Sequence, residues 1–171
     1  MTHKGSTLNI PTVILASADE PRQVYLLCKK GVLVVFFRRE YAFLSNFYSA
    51  KVIYNGLVYQ NAEAAFQAQK ENDNILRKKY ENMSGVEAKR AGRRACLRPD
   101  WEVVKDRLMY EIVLAKFEQN PLLVRKLVNI KEPIIEENNW GDRYWGVVNG
   151  VGYNKLGKIL MQVREYFIKS M

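Results

Sequence analysis

KVIYNGLVYQNAEAAFQAQK, residues 51–70, changes its period halfway along. Val52, Ile53 and Tyr54 precede Asn55-Gly56, and Leu57, Val58 and Tyr59 follow it. Two short runs of strand-forming residues around Asn-Gly make a hairpin, because both central residues of a type I′ turn need positive φ. From Asn61 onward the spacing becomes three and four: Ala62, Ala65, Phe66 and Gln69. Asn61 is placed to cap a helix running to about Glu71.

Upstream of the hairpin, residues 10–16, 24–28 and 32–37 are short β-branched or aromatic runs separated by turn residues, and they read as strands. Downstream the pattern stays helical. A short helix is expected over 73–82. Ser84 and Glu87 have the form of a capping box and start a helix ending near Ala95. Pro99-Asp100-Trp101 opens the longest helix, whose face is traced by Trp101, Val104, Leu108, Ile112, Ala115 and Gln119. Pro121 begins another through about Val128, and a last helix runs from Lys155 or Leu156 to about Lys169 with Leu156, Ile159, Leu160, Val163 and Phe167 inward. Strands first and helices after define an α+β fold. It is a single domain, with N-terminal strands and a β-hairpin followed by a mostly helical second half.

The chain has 171 residues, enough for one real core, and no apolar run long enough to span a bilayer. Val13 to Ala18 looks like a signal-peptide end, but its apolar core is too short and Asn9 and Pro11 interrupt it; the chain reads as cytoplasmic. Cys28 and Cys96 are the only cysteines and His3 the only histidine. That argues against a disulfide framework, a His-paired nucleophile and a Cys/His zinc site. Acid–base chemistry is left to Asp, Glu, Lys and Tyr, and no metal or cofactor is expected. The formal net charge of +9 suits an anionic partner, although part of it lies on solvated helix faces.

Residues 140–157, WGDRYWGVVNGVGYNKLG, combine stacking rings, amides, one carboxylate and five glycines. A long loop so composed reads as a binding site. Trp140, Tyr144 and Trp145 offer flat faces to a base or a sugar, and Asp142 a carboxylate. Gly150, Gly152 and Asn154 lead into the last helix, whose N-terminal N–H groups suit a phosphate. The glycine spacing is neither a dinucleotide fingerprint nor a Walker loop. Glu63 falls in the first turn of its helix, where the macrodipole alone accounts for an acid, yet the strand-to-helix junction also suits a catalytic group. Lys70, seven residues on, falls near the same face. Asn46, within FLSNFY at 43–48, is either a ligand contact or a turn residue. Two carboxylates with aromatics and an anion site are what cleavage of a C–N glycoside needs, since positive charge builds on the sugar.

FLSNFY, NAEAAFQAQK at 61–70, Gly92-Arg93, Trp101, LAKFEQNP at 114–121, GDRYWG and GYNKLGKILMQVRE together resemble the YbiA-like, or NADAR, family over about residues 36–167. The resemblance divides the chain into an N-terminal extension, 1–34, of short strands packed on the core, and an N-glycosidase domain, 35–171. It implies a hydrolase of N-glycosyl compounds acting on early phosphoribosylamino-pyrimidine intermediates of riboflavin synthesis. The alternatives it leaves are removal of ADP-ribose from nucleobases, or ADP-ribose or nucleotide binding without turnover. Its partner would be a small phosphorylated ribosyl compound or an ADP-ribosylated nucleobase, with nucleic acid only as such a substrate. It implies Glu63, Asp142 and Lys70 as catalytic, and Asn46, Trp101, Tyr144, Trp145, Gly152 and Asn154 as substrate-binding. Where the family commonly reads Ser-Glu-His, this chain has Ala62-Glu63-Ala64.

Overall fold

The computed structural model describes residues 35–171. The expectations for 1–34, including the strands at 10–16 and 24–28, lie outside the described residues. Within them the order is β1 (Val35–Phe36), a 3-10 helix (Arg39–Leu44), β2 (Val52–Tyr54), β3 (Leu57–Tyr59), α1 (Ala62–Ala68), α2 (Asn74–Lys78), α3 (Gly85–Gly92), α4 (Trp101–Glu118), α5 (Pro121–Asn129), β4 (Ile134–Ile135) and α6 (Lys155–Ser170). The class is α+β, with most of the described chain helical.

The hairpin forms as its sequence requires. Asn55 and Gly56 both take positive φ, 50° and 77°, and Val52 pairs with Tyr59 across the strands. Val52 and Tyr59 point into the core, while Ile53 and Val58 face out. Gln119, at the end of α4, seals the outer edge: it accepts from the Ile53 N–H at 2.6 Å and donates to the Ile53 carbonyl at 3.0 Å.

Asn61 caps α1 through a bond from the Ala64 N–H to its Oδ1 at 2.8 Å. This helix is buried on every side, not on one face as its spacing suggested. It runs through the middle of the domain against α3, α4 and both hairpin strands, and its alanines let those neighbours approach closely. It also stops at Ala68, short of the expected Glu71. Gln69, Lys70 and Glu71 donate to Phe66, Gln67 and Ala68, three residues back, and this tighter winding ends the helix.

The capping box at Ser84 and Glu87 forms, but α3 ends at Gly92 instead of running to Ala95. Lys70 Nζ satisfies the Gly92 carbonyl at 3.2 Å. The buried stripe of α4 is Trp101, Leu108, Met109, Ile112, Val113, Lys116 and Phe117. It is rotated from the expected face toward 109, 113 and 117. Lys116 is fully buried; its ammonium donates to the carbonyls of Phe43 at 2.7 Å and Ser45 at 2.8 Å, pinning the turn that carries Asn46.

β4 has no counterpart in the sequence reading. Ile134 and Ile135 pair in parallel with Val35 and Phe36, and Ile135 packs with Val147 and Phe36 as a small cluster apart from the main core.

Candidate active site

One cleft, of about 370 Å³, opens between α1, α3, the start of α4 and the 136–145 loop. Glu63, Lys70, Asn46, Trp101, Asp142, Tyr144 and Trp145 all line it, drawn from both halves of the chain.

Glu63 sits at its base, 7% exposed. Its Oε1 accepts from Gln67 Nε2 at 2.8 Å, one helical turn on. Burial pushes its carboxyl above the usual range, the Gln67 amide, Lys89 and Lys70 pull it back, and Asp142 adds to the rise. Gly92 is part of this arrangement, because a Cβ there would fall 1.9 Å from Gln67 Oε1. Only glycine lets α3 close on α1 at that point.

Lys70 lies beyond the end of α1, its Nζ 5.6 Å above the Trp101 ring. Burial lowers its pKa while Glu63 opposes that shift. Lys89 and Arg93, on and just after α3, join it on the same wall. None of the three is in an ion pair among the described residues. Lys89 lies over Phe47 and Trp140, 5.5 and 5.0 Å from their ring centres.

The opposite wall is aromatic. Trp145 meets Phe66 edge-on at 5.4 Å and Tyr144 edge-on at 5.0 Å, and Phe66 meets Trp101 at 5.1 Å. Tyr144 is held by its hydroxyl, which donates to Asp106 at 2.6 Å, and by the Lys105 ammonium, 4.1 Å from its ring centre. Asp142 shapes the loop that carries these rings. Its Oδ1 accepts from the N–H groups of Tyr144 at 3.0 Å and Trp145 at 2.9 Å, and its own backbone is bracketed by the Asn138 amide.

Gly152 and Asn154 do not line the cleft, and this corrects the expected phosphate site at the start of the last helix. A Cβ on Gly152 would meet the Gly146 carbonyl at 2.3 Å, so its lack of side chain serves packing of the loop on itself. Asn154, left-handed at φ 50°, donates to the Ile134 carbonyl at 2.9 Å and accepts from the Glu136 N–H at 3.0 Å. The N–H groups of Lys155 and Leu156 at the start of α6 go to the carbonyls of Tyr144 and Trp145. Gly150 serves a turn: Val148 and Val151 exchange backbone bonds around Asn149-Gly150, both at positive φ, as at Asn55-Gly56.

Several cleft residues escaped the sequence reading, Glu136, Gln67, Lys89 and Arg93 among them. Glu136 follows β4 directly, and the paired isoleucines before it were the signal to follow. Ala62 and Ala64, where the family motif carries other residues, are fully buried and absent from the cleft wall. The difference at these positions therefore lies behind Glu63, in the core.

A buried carboxylate between uncompensated cations and stacked rings defines a nucleotide- or sugar-phosphate-handling site, and comparison with known proteins gives it a family. The NADAR domain model matches residues 35–168, and the chain belongs to that family. It is 36% identical over 130 residues to the N-glycosidase YbiA of Shigella boydii, covering 74% of this chain and 81% of that one. It is 34% identical over 129 residues to the riboflavin biosynthesis protein VVA0006 of Vibrio vulnificus, of which the match covers 35%. The solved NMR structure of E. coli YbiA superposes with a TM-score of 0.71 at 32% identity, over 80% of this chain and 86% of that one.

Proposed function

We propose that this protein hydrolyses the N-glycosidic bond of a phosphorylated ribosyl compound without a metal, with the phosphoribosylamino-pyrimidine intermediates of riboflavin synthesis as its substrate class. The observation that carries this reading is the position of Glu63. It is a carboxylate almost stripped of water, with Lys70, Lys89 and Arg93 on one side of the cleft and Trp101, Tyr144 and Trp145 on the other. A poorly solvated carboxylate gains most from a cation forming beside it, and the ribosyl carbon becomes such a cation as its C–N bond breaks. The three cations take the phosphate. The Trp145 ring stacks on the base or the ribose, and Asp142 keeps that ring in place. The names carried by the relatives, N-glycosidase and riboflavin biosynthesis protein, support the same chemistry. A cavity of about 370 Å³ lies near the lower end of ligand sites, which suits one base and one ribose phosphate better than a base bearing ADP-ribose.

The test is a paired assay. Wild type and Glu63→Gln are each given a phosphoribosylamino-pyrimidine and an ADP-ribosylated guanine. Release of ribose 5-phosphate by the wild type and its loss in the variant is the expected result. Tight binding without product would leave a binding module instead. Borohydride trapping followed by mass spectrometry checks whether Lys70 attacks the ribosyl carbon; without an adduct, Lys70 is a phosphate contact only.

A further inference from the structure

Three buried side-chain oxygens that line the cleft have no hydrogen-bond partner: Asn46 Oδ1, Gln67 Oε1 and Glu136 Oε2. Buried acceptors without donors are rare, and a cluster of them in one cleft points to a ligand rich in N–H and O–H groups. The two amides are committed as acceptors. Asn46 Nδ2 is turned to Met109 Sδ at 3.2 Å, and Gln67 Nε2 must face the Glu63 carboxyl, so each leaves its oxygen to the cleft. Glu136 differs, because a carboxyl can cure its own deficit by taking a proton and becoming a donor.

Its surroundings favour that. The Glu136 backbone is held on both sides, by Asn154 at its N–H and by the Val147 N–H at its carbonyl. Gly146 closes on its side chain so tightly that a Cβ there would fall 1.7 Å from Oε2. Desolvation, with Asp142 and Glu63 as like-charged neighbours, outweighs Lys89 and the Asn138 amide and pushes the carboxyl up to about 7. Asp142, by contrast, has one oxygen spent on two loop N–H groups.

We propose that Glu136 is the general acid that protonates the leaving base, and that Asp142 is a positioning residue for the loop. The role rests on the glycosidase reading above and deepens it. Glu136 Oε2–H gives its proton to the departing nitrogen as the C1′–N bond breaks, and the bonding pair leaves with the base. Glu63 stabilises the ribosyl cation and takes a proton from the water that adds to C1′. The proton then returns from Glu63 to Glu136 through solvent, closing the cycle. The assignment separates the two glutamates by task, one ionised and one protonated, as paired carboxyls in glycoside cleavage require.

The experiment measures the pH dependence of kcat/KM on a phosphoribosylamino-pyrimidine for the wild type, Glu136→Gln and Glu136→Asp, with a circular-dichroism melt of each. Infrared spectra of the resting proteins below pH 7 accompany it. The wild type is expected to lose kcat/KM as pH rises past about 7. Glu136→Gln should lower kcat by roughly 10²- to 10⁴-fold with little change in KM, and abolish the alkaline limb. It should also remove the carbonyl band of a protonated carboxylic acid from the infrared spectrum. Glu136→Asp should keep the limb at reduced rate, and carries the test if the glutamine variant melts early. A Glu136→Gln protein with near-wild-type kcat, or an alkaline limb that survives in it, overturns the acid role while leaving the glycosidase reading intact. A wild type that releases no ribose 5-phosphate overturns both.

Discussion

Glu63 shows how far a residue can be read before its surroundings are known. Its place at a strand-to-helix junction made it a candidate, but a first-turn acid is ordinary, and nothing in residues 61–70 says that it is buried. What sets its chemistry is Gln67 one turn on and Gly92 from another helix. Glu63→Gln should reduce kcat by roughly 10²- to 10⁴-fold while leaving the melting temperature nearly unchanged, as steady-state kinetics and calorimetry would show. Gly92→Ala tests the support behind it. The added methyl would sit 1.9 Å from Gln67 Oε1, so Gln67 must swing away from Glu63. The expected outcome is a fall in kcat larger than any fall in stability. Glu136 was invisible for a different reason. Within KEPIIEENN, residues 131–139, it is one of four acids or amides after a strand of only two residues, and no periodicity marks so short an element.

The hairpin, the Asn61 and Ser84 caps and the Pro121 start were legible because each rests on local stereochemistry that the neighbouring residues carry. The ends of α1 and α3 were not, because Lys70 reaches across to Gly92 and sets both. The loop at 140–157 was read as one flexible run, although its Asn-Gly at 149–150 obeys the same turn rule as the hairpin. Its phosphate role failed at the start of α6, where carbonyls 11 residues upstream already occupy the N–H groups of Lys155 and Leu156. Asn154 belongs to this element and not to the ligand. Asn154→Ala should cost about 2–4 kcal/mol, because it leaves the Ile134 carbonyl and the Glu136 N–H buried without partners and removes a side chain suited to positive φ. Urea denaturation measures this. A variant of unchanged stability but raised KM would restore Asn154 to the substrate.

Across the whole molecule, the largest departure from the sequence pattern is a charge inside the core. Lys116 falls where the helical stripe expects an apolar residue, and burial lowers its pKa from 10.5 to about 7. In the unfolded chain it keeps its proton up to the ordinary value. Below pH 7 both states carry the charge, and the folded state bears the full desolvation cost. Between about 7 and 10 the folded lysine releases its proton first, so stability should rise with pH; Lys70 acts in the same direction. Above 10 the buried hydroxyls of Tyr54 and Tyr80, both raised, oppose any further gain. Melting temperatures from pH 7 to 9.5 should climb for the wild type and climb less for Lys116→Met. A second global expectation concerns metal. Dialysis against EDTA should leave the hydrolysis rate unchanged, and a loss restored by a divalent cation would overturn the metal-free mechanism. The Asn154 amide has one more consequence. By bonding 18 and 20 residues upstream, to Glu136 and Ile134, it ties the loop into a closed ring with the strand that precedes it. The amide hydrogens of Glu136, Val147 and Leu156 should therefore exchange with deuterium at one common rate, opening together as a single unit or not at all.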